Sequence, residues 1–80
     1  MITSSQIKGA RAMTGMTVRA LAEKSNIAFS TLVRLESAGN DIPAGNIETF
    51  KKLINTFEQA GIEFIGTPEQ GAGVRWRIDR

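Results

Sequence analysis

The side chains that make and break bonds are mostly missing from this chain. Its 80 residues include no histidine, no cysteine and no tyrosine, which removes the commonest general base, the commonest metal ligand and the strongest thiol nucleophile. The 8 carboxylates are scattered, and no two stand three or four residues apart, so none share a helix face as an acid–base pair or a metal site. An enzyme is not expected, nor a bound metal, a cofactor or a small-molecule substrate. What the chain does carry is chemistry for holding a surface. Arg19 and Arg34 offer guanidinium donors and Ser30 a hydroxyl, while Val18, Ala28, Phe29 and Val33 offer only apolar contact.

Those residues lie within Met16 to Ser37, MTVRALAEKSNIAFSTLVRLES, which reads as two short helices about a tight turn. Thr17 suits the cap of a helix over about 17–24, because its hydroxyl can take an orphan backbone N–H. Leu21 and Ala22 face inward. Ser25-Asn26 breaks the pattern, and Asn26 suits the left-handed conformation of a sharp turn. Ile27 then plugs the turn from inside. Helical spacing resumes over about 28–37 with Leu32 and Leu35 inward, which leaves Phe29, Ser30, Val33 and Arg34 on the outer side. This is the shape of a helix-turn-helix.

The flanking elements must hold that pair in place. Thr3 and Gln6 stand at capping-box spacing, and Ile7, Ala10 and Met13 share a face of a helix over about 4–13 that Gly15 stops. Ala38 to Gly45 is turn chemistry. Asn46 caps a helix over about 46–60 with Glu48 in its first turn, and Ile47, Phe50, Leu53, Ile54 and Phe57 recur at helical spacing until Gly61. The period then changes. Strands are expected at about 62–65 and 74–78, joined by the loop GTPEQGAG. In that hairpin Val74, Trp76 and Ile78 would share one face, with Arg75 and Arg77 on the other. An isolated hairpin is marginal in water, so those three residues must cap their own core or form a dimer contact.

Length and composition bound the rest. A chain this short makes one domain over 1–80, with 62–80 as a hairpin appendage, and buries only ~60% of its unfolded surface. An apolar content of 41% is ordinary for a folded domain and a net charge of +2 is only mildly basic. No apolar run approaches the ~18 residues that span a bilayer. With no leader pattern and no cysteine, a cytoplasmic protein without a membrane partner is expected.

The stretch Ile7 to Gly39 resembles the lambda-repressor-like helix-turn-helix family, also called the XRE or Cro/C1 type. The matching residues are Ile7, Ala10-Arg11, Gly15-Met16-Thr17, Leu21-Ala22, Ile27, Thr31-Leu32 and Arg34-Leu35-Glu36. The tail GIEFI…GAGVRWR is similar to an appendage on short proteobacterial members. The resemblance implies a mainly α four-helix domain with a C-terminal β-hairpin, and a small repressor that binds double-stranded DNA by sequence. It implies that Arg11 and Glu36 pair as a structural clamp between helices one and three, so that only Arg19 and Arg34 remain where the duplex passes. On DNA, Arg19 and Lys24 would contact phosphate, and a two-fold homodimer would read half-sites ~34 Å apart.

This chain departs from the family pattern at the surface itself. Family members that bind DNA usually begin helix two with glutamine and helix three with serine; here those positions are Val18 and Ala28. Phe29, Ser30 and Val33 occupy the base-reading positions, and none supplies a bidentate pairing worth ~1–3 kcal/mol of discrimination. Val18, Phe29 and Val33 are expected to lie together as an exposed apolar patch. Other parts of the chain cover it, or DNA meets it with help from Arg19, Arg34, Arg75 and Arg77, or it docks on another transcription regulator, since apolar surface rimmed by polar groups marks protein interfaces. Small helix-turn-helix antiactivators of rhizobial quorum sensing are similar proteins that act in this last way. An antitoxin or phage-type switch would use the same fold.

Overall fold

Among the described residues six elements follow one another: α1 (Ser4–Thr14), α2 (Val18–Ser25), α3 (Phe29–Leu35), α4 (Ile47–Gln59), β1 (Ile62–Ile65) and β2 (Gly73–Trp76). The computed structural model describes residues 1–78, so Asp79 and Arg80, the end of the expected 62–80 appendage, lie outside the described residues. The architecture is mainly α with a two-stranded antiparallel hairpin at the end.

Local chemistry sets most boundaries. At α1 the Thr3 hydroxyl accepts from the Gln6 N–H at 3.0 Å while the Gln6 Oε1 accepts from the Thr3 N–H at 2.8 Å, a reciprocal cap that satisfies two orphan donors. Gly15 ends the helix at φ 73°, a left-handed turn that glycine makes without a Cβ penalty. Thr17 caps α2 through the Ala20 N–H at 3.0 Å, and Asn46 caps α4 through the Thr49 N–H at 2.8 Å.

The core is built from Ile2, then Ile7 and Ala10 of α1, Leu21 of α2, Ile27, Leu32 and Leu35 of α3, Phe50, Leu53 and Phe57 of α4, and Ile62 of β1. Each large apolar side chain buried there contributes roughly 1.5–3 kcal/mol. Phe64 leans edge-on against Phe57, centroids 5.9 Å apart, so the hairpin packs on its own helices.

Four expectations need correction. The third helix stops at Leu35 rather than residue 37, because the buried Ser4 hydroxyl of α1 donates to the Leu35 carbonyl and accepts from the Ala38 N–H. That bridge satisfies the end of α3 from outside and lets the chain leave. The second strand is Gly73–Trp76 rather than 74–78, because it pairs only along the four residues of β1, from Ile65↔Gly73 to Ile62↔Trp76. Beyond the ladder the Arg77 N–H reaches back to the Gly61 carbonyl at 2.9 Å, and Ile78 stands 91% exposed instead of continuing the face of Val74 and Trp76. Ile47 is 59% exposed and not part of the core, in a first turn of α4 that is open to solvent up to Phe50. Val18 packs half-buried against the core, so it is not an open part of an apolar patch.

Candidate recognition surface

The turn between α2 and α3 is what presents this surface. Asn26 sits at φ 59°, ψ 38° and closes α2 through its N–H to the Ala22 carbonyl. The Ile27 N–H also reaches Ala22, at 3.2 Å, and its side chain is buried beneath the turn. Three residues thus join the two helices, and α3 starts at Phe29 with Ala28 making no side-chain cap. A serine or threonine there would add ~1 kcal/mol.

α3 buries only Leu32 and Leu35. Ala28, Phe29, Ser30, Val33 and Arg34 are exposed, so the inner and outer faces separate at helical spacing. Phe29 and Val33 keep 44% and 47% of their surface and stand one turn apart, where residues i and i+4 are neighbours.

Two arginines border this apolar pair. The Arg19 guanidinium lies over the Phe29 ring, its carbon 4.9 Å from the centroid, a contact worth roughly 0.5–1 kcal/mol at an exposed site. It orients the ring. Arg34 donates through Nη1 to the Ala44 carbonyl at 2.5 Å, which ties the last turn of α3 to the loop before α4. α3 itself contains no acidic residue, and Glu23 is the sole carboxylate on α2. Lys24 lies elsewhere: five residues beyond Arg19 is about 140° around the helix, and it lines a cleft of about 330 Å³ with Met16, Thr56, Gln59 and Ala60.

Arg11 and Glu36 hold α1 against the end of α3. Arg11 Nε and Nη2 donate to the two Glu36 oxygens at 2.9 and 3.0 Å, and Nη1 donates to the Met16 carbonyl. The Glu36 hydrogen bond holds the Arg11 guanidinium above its usual pKa, against the opposing effect of burial. The charge of Glu36 is therefore answered inside the fold, and Arg11 is committed to it.

The hairpin residues divide. Val74 packs against the core, Trp76 is 44% exposed and Ile78 almost wholly so. Arg75 pairs with Glu63 at 3.0 Å on the outer face, and Arg77 donates to the Glu58 carbonyl at 2.7 Å.

Three residues hold this scaffold in ways the sequence did not disclose. Gln6, 4% exposed, turns its Nε2 to the Ile65 carbonyl at 3.2 Å and the Gly73 carbonyl at 2.9 Å, so the residue that caps α1 also pins the hairpin. Ser4 caps α3 as described above. Gly9 lets β2 approach α1 closely: a Cβ there would stand 3.2 Å from Val74 Cγ2. A glycine inside a helical pattern was the one sequence signal for such an approach.

Among the described residues no cluster of acidic side chains could hold a metal ion, and no helix is long and apolar enough to cross a membrane. No protein-family model matches the chain, and no curated protein shows significant similarity to it.

Proposed function

We propose that the protein is a small cytoplasmic regulator of transcription whose α2 and α3 form a lambda-repressor-like helix-turn-helix, and that it represses by binding duplex DNA through α3. One observation carries this reading. After the three-residue turn at Asn26–Ala28, α3 gives the core only two side chains and leaves Phe29, Ser30, Val33 and Arg34 exposed on one face. A short helix held from behind and open in front has the dimensions to enter the major groove. In this reading Ser30, Val33 and Arg34 approach base edges, Arg34 exchanging its bond to Ala44. Arg19 meets phosphate beside Phe29. A homodimer would place two such helices ~34 Å apart, with Trp76 and Ile78 as the candidate contact.

Titration with the duplex upstream of its own gene tests this. Binding is expected, with an association constant that falls steeply as salt rises, because each neutralised phosphate releases counterions. The absence of binding at low salt sinks the reading.

A second reading is favoured by a different observation: Phe29 and Val33 carry no polar atom, yet are nearly half exposed, and Arg34 is already bonded within the chain. In that reading the same face docks on another transcription regulator and inhibits it, with Phe29 as anchor. Phe29→Ala would then abolish capture of that regulator while leaving the thermal melt nearly unchanged. Its signature is binding to the regulator with none to duplex.

A further inference from the structure

The largest apolar group in the major groove is the C5-methyl of thymine; beside small C–H edges, the other features there are donors and acceptors. Phe29 and Val33 are the only side chains of α3 that are both apolar and exposed. Set against N7, O6, N6 or N4 they would strip water from a polar atom and return nothing, which costs free energy. Set against a methyl group they would bury it. The pairing therefore selects in two ways, by gaining contact with thymine and by rejecting the polar edges.

The geometry adds a spacing. Four residues of helix rise about 6 Å, and base pairs in a duplex rise ~3.4 Å. Two side chains four apart, on a helix lying along the groove, thus address positions about two base-pair steps apart. Arg19 lies over the Phe29 ring at 4.9 Å, and 44% of the residue's surface stays open to meet a base. The surroundings suit a polyanion, since Arg19 and Arg34 flank the pair and α3 has no carboxylate.

We infer that Phe29 and Val33 are specificity determinants that read two thymine methyl groups about two base-pair steps apart in each half-site. This rests on the duplex-binding reading of α3, and the test separates the two. The full-length protein first selects its preferred site from a pool of random-sequence duplexes. Each thymine of the selected site is then replaced singly by deoxyuridine, which deletes only the methyl, and affinity is followed by fluorescence anisotropy.

Within each half-site, two positions about two steps apart are expected to weaken binding about fourfold each, the worth of one buried methyl-sized group. In Phe29→Ala one of these positions loses its sensitivity and the other keeps it; in Val33→Ala the pattern reverses. If uracil at every thymine leaves affinity unchanged while the duplex is still bound, the inference is overturned and duplex binding stands. A methyl effect that persists in both variants overturns it equally. If no duplex is selected even at low salt, the duplex reading falls and the inference with it. The uracil scan on the unaltered protein needs no variant, so a poorly folded one cannot shelter the idea.

Discussion

Replacing Gln6 with leucine should loosen two distant parts of the molecule at once. The side chain is 4% exposed, accepts from the Thr3 N–H at 2.8 Å, and donates to the Ile65 and Gly73 carbonyls at 3.2 and 2.9 Å. In Gln6→Leu the buried Thr3 N–H loses its acceptor, at about 1–3 kcal/mol. Each carbonyl loses a donor, at about 0.5–1.5 kcal/mol. The new apolar side chain recovers part of this, so the net cost is about 2–4 kcal/mol. For a domain of this size that lowers the melting temperature by roughly 10–30 °C. Gln6→Glu is a sharper version, because its carboxylate faces the two carbonyl oxygens and its pKa must rise on folding. With a folded pKa above the unfolded one, the deficit grows as pH rises through the carboxylate range and shrinks as pH falls below it. Circular dichroism melts give the size of the effect, and amide exchange gives its location, with the amides of Ile62–Ile65 and Gly73–Trp76 exposed before those of α4. A melt of Gln6→Leu within about 2 °C of the parent would show that Gln6 does not join α1 to the hairpin.

Three further perturbations follow from the same physics. Glu36→Ala strands the half-buried Arg11 and should cost about 2–3 kcal/mol, less than a fully buried pair because Arg11 keeps some solvent; Arg11→Met/Glu36→Leu together should recover most of it, and a double variant as unstable as the single in chemical denaturation would contradict the clamp. Gly66→Ala meets φ 76° and drives a Cβ onto the Gly71 carbonyl, so about 1–3 kcal/mol of strain should appear as a lower melting temperature, and an unchanged melt would argue against it. The hydrogen bond from Arg75 holds the Glu63 carboxyl below the usual carboxylate range, so whatever the pair adds is present above the unfolded pKa and lost as pH falls through the folded one. An NMR titration should find the Glu63 midpoint low in the parent and back in the usual range in Arg75→Gln; equal midpoints in both would show that the pair does not form in solution.

What could be read from the sequence was decided by short-range chemistry. Thr3 with Gln6, Thr17, Asn26, Asn46 and Gly15 each satisfy backbone groups within a few residues, so the starts of α1, α2 and α4 and the ends of α1 and α2 follow from residue type. The stripe of Phe50, Leu53 and Phe57 was equally plain. The misreadings arose where a distant partner decides. Ile47 continues the stripe in sequence, but no neighbour covers the first turn of α4. Ile78 continues the alternation of β2, but β1 is too short to pair with it. The Ser4 bridge that ends α3 spans 31 residues, and the two hairpin bonds of Gln6 span 59 and 67, so neither left a mark in local spacing. At the outer face of α3 the residue types are legible, yet the stacking of Arg19 on Phe29 and the turning of Arg34 to Ala44 depend on how the folded chain meets itself.

The most direct test of the central claim is an NMR titration of the isotope-labelled full chain with duplex DNA carrying its upstream region. Amide shifts are expected to concentrate at residues 28–34 and at Arg19 and to diminish as salt is raised. Shifts at those residues on adding a partner regulator, with none on adding the duplex, would contradict the claim.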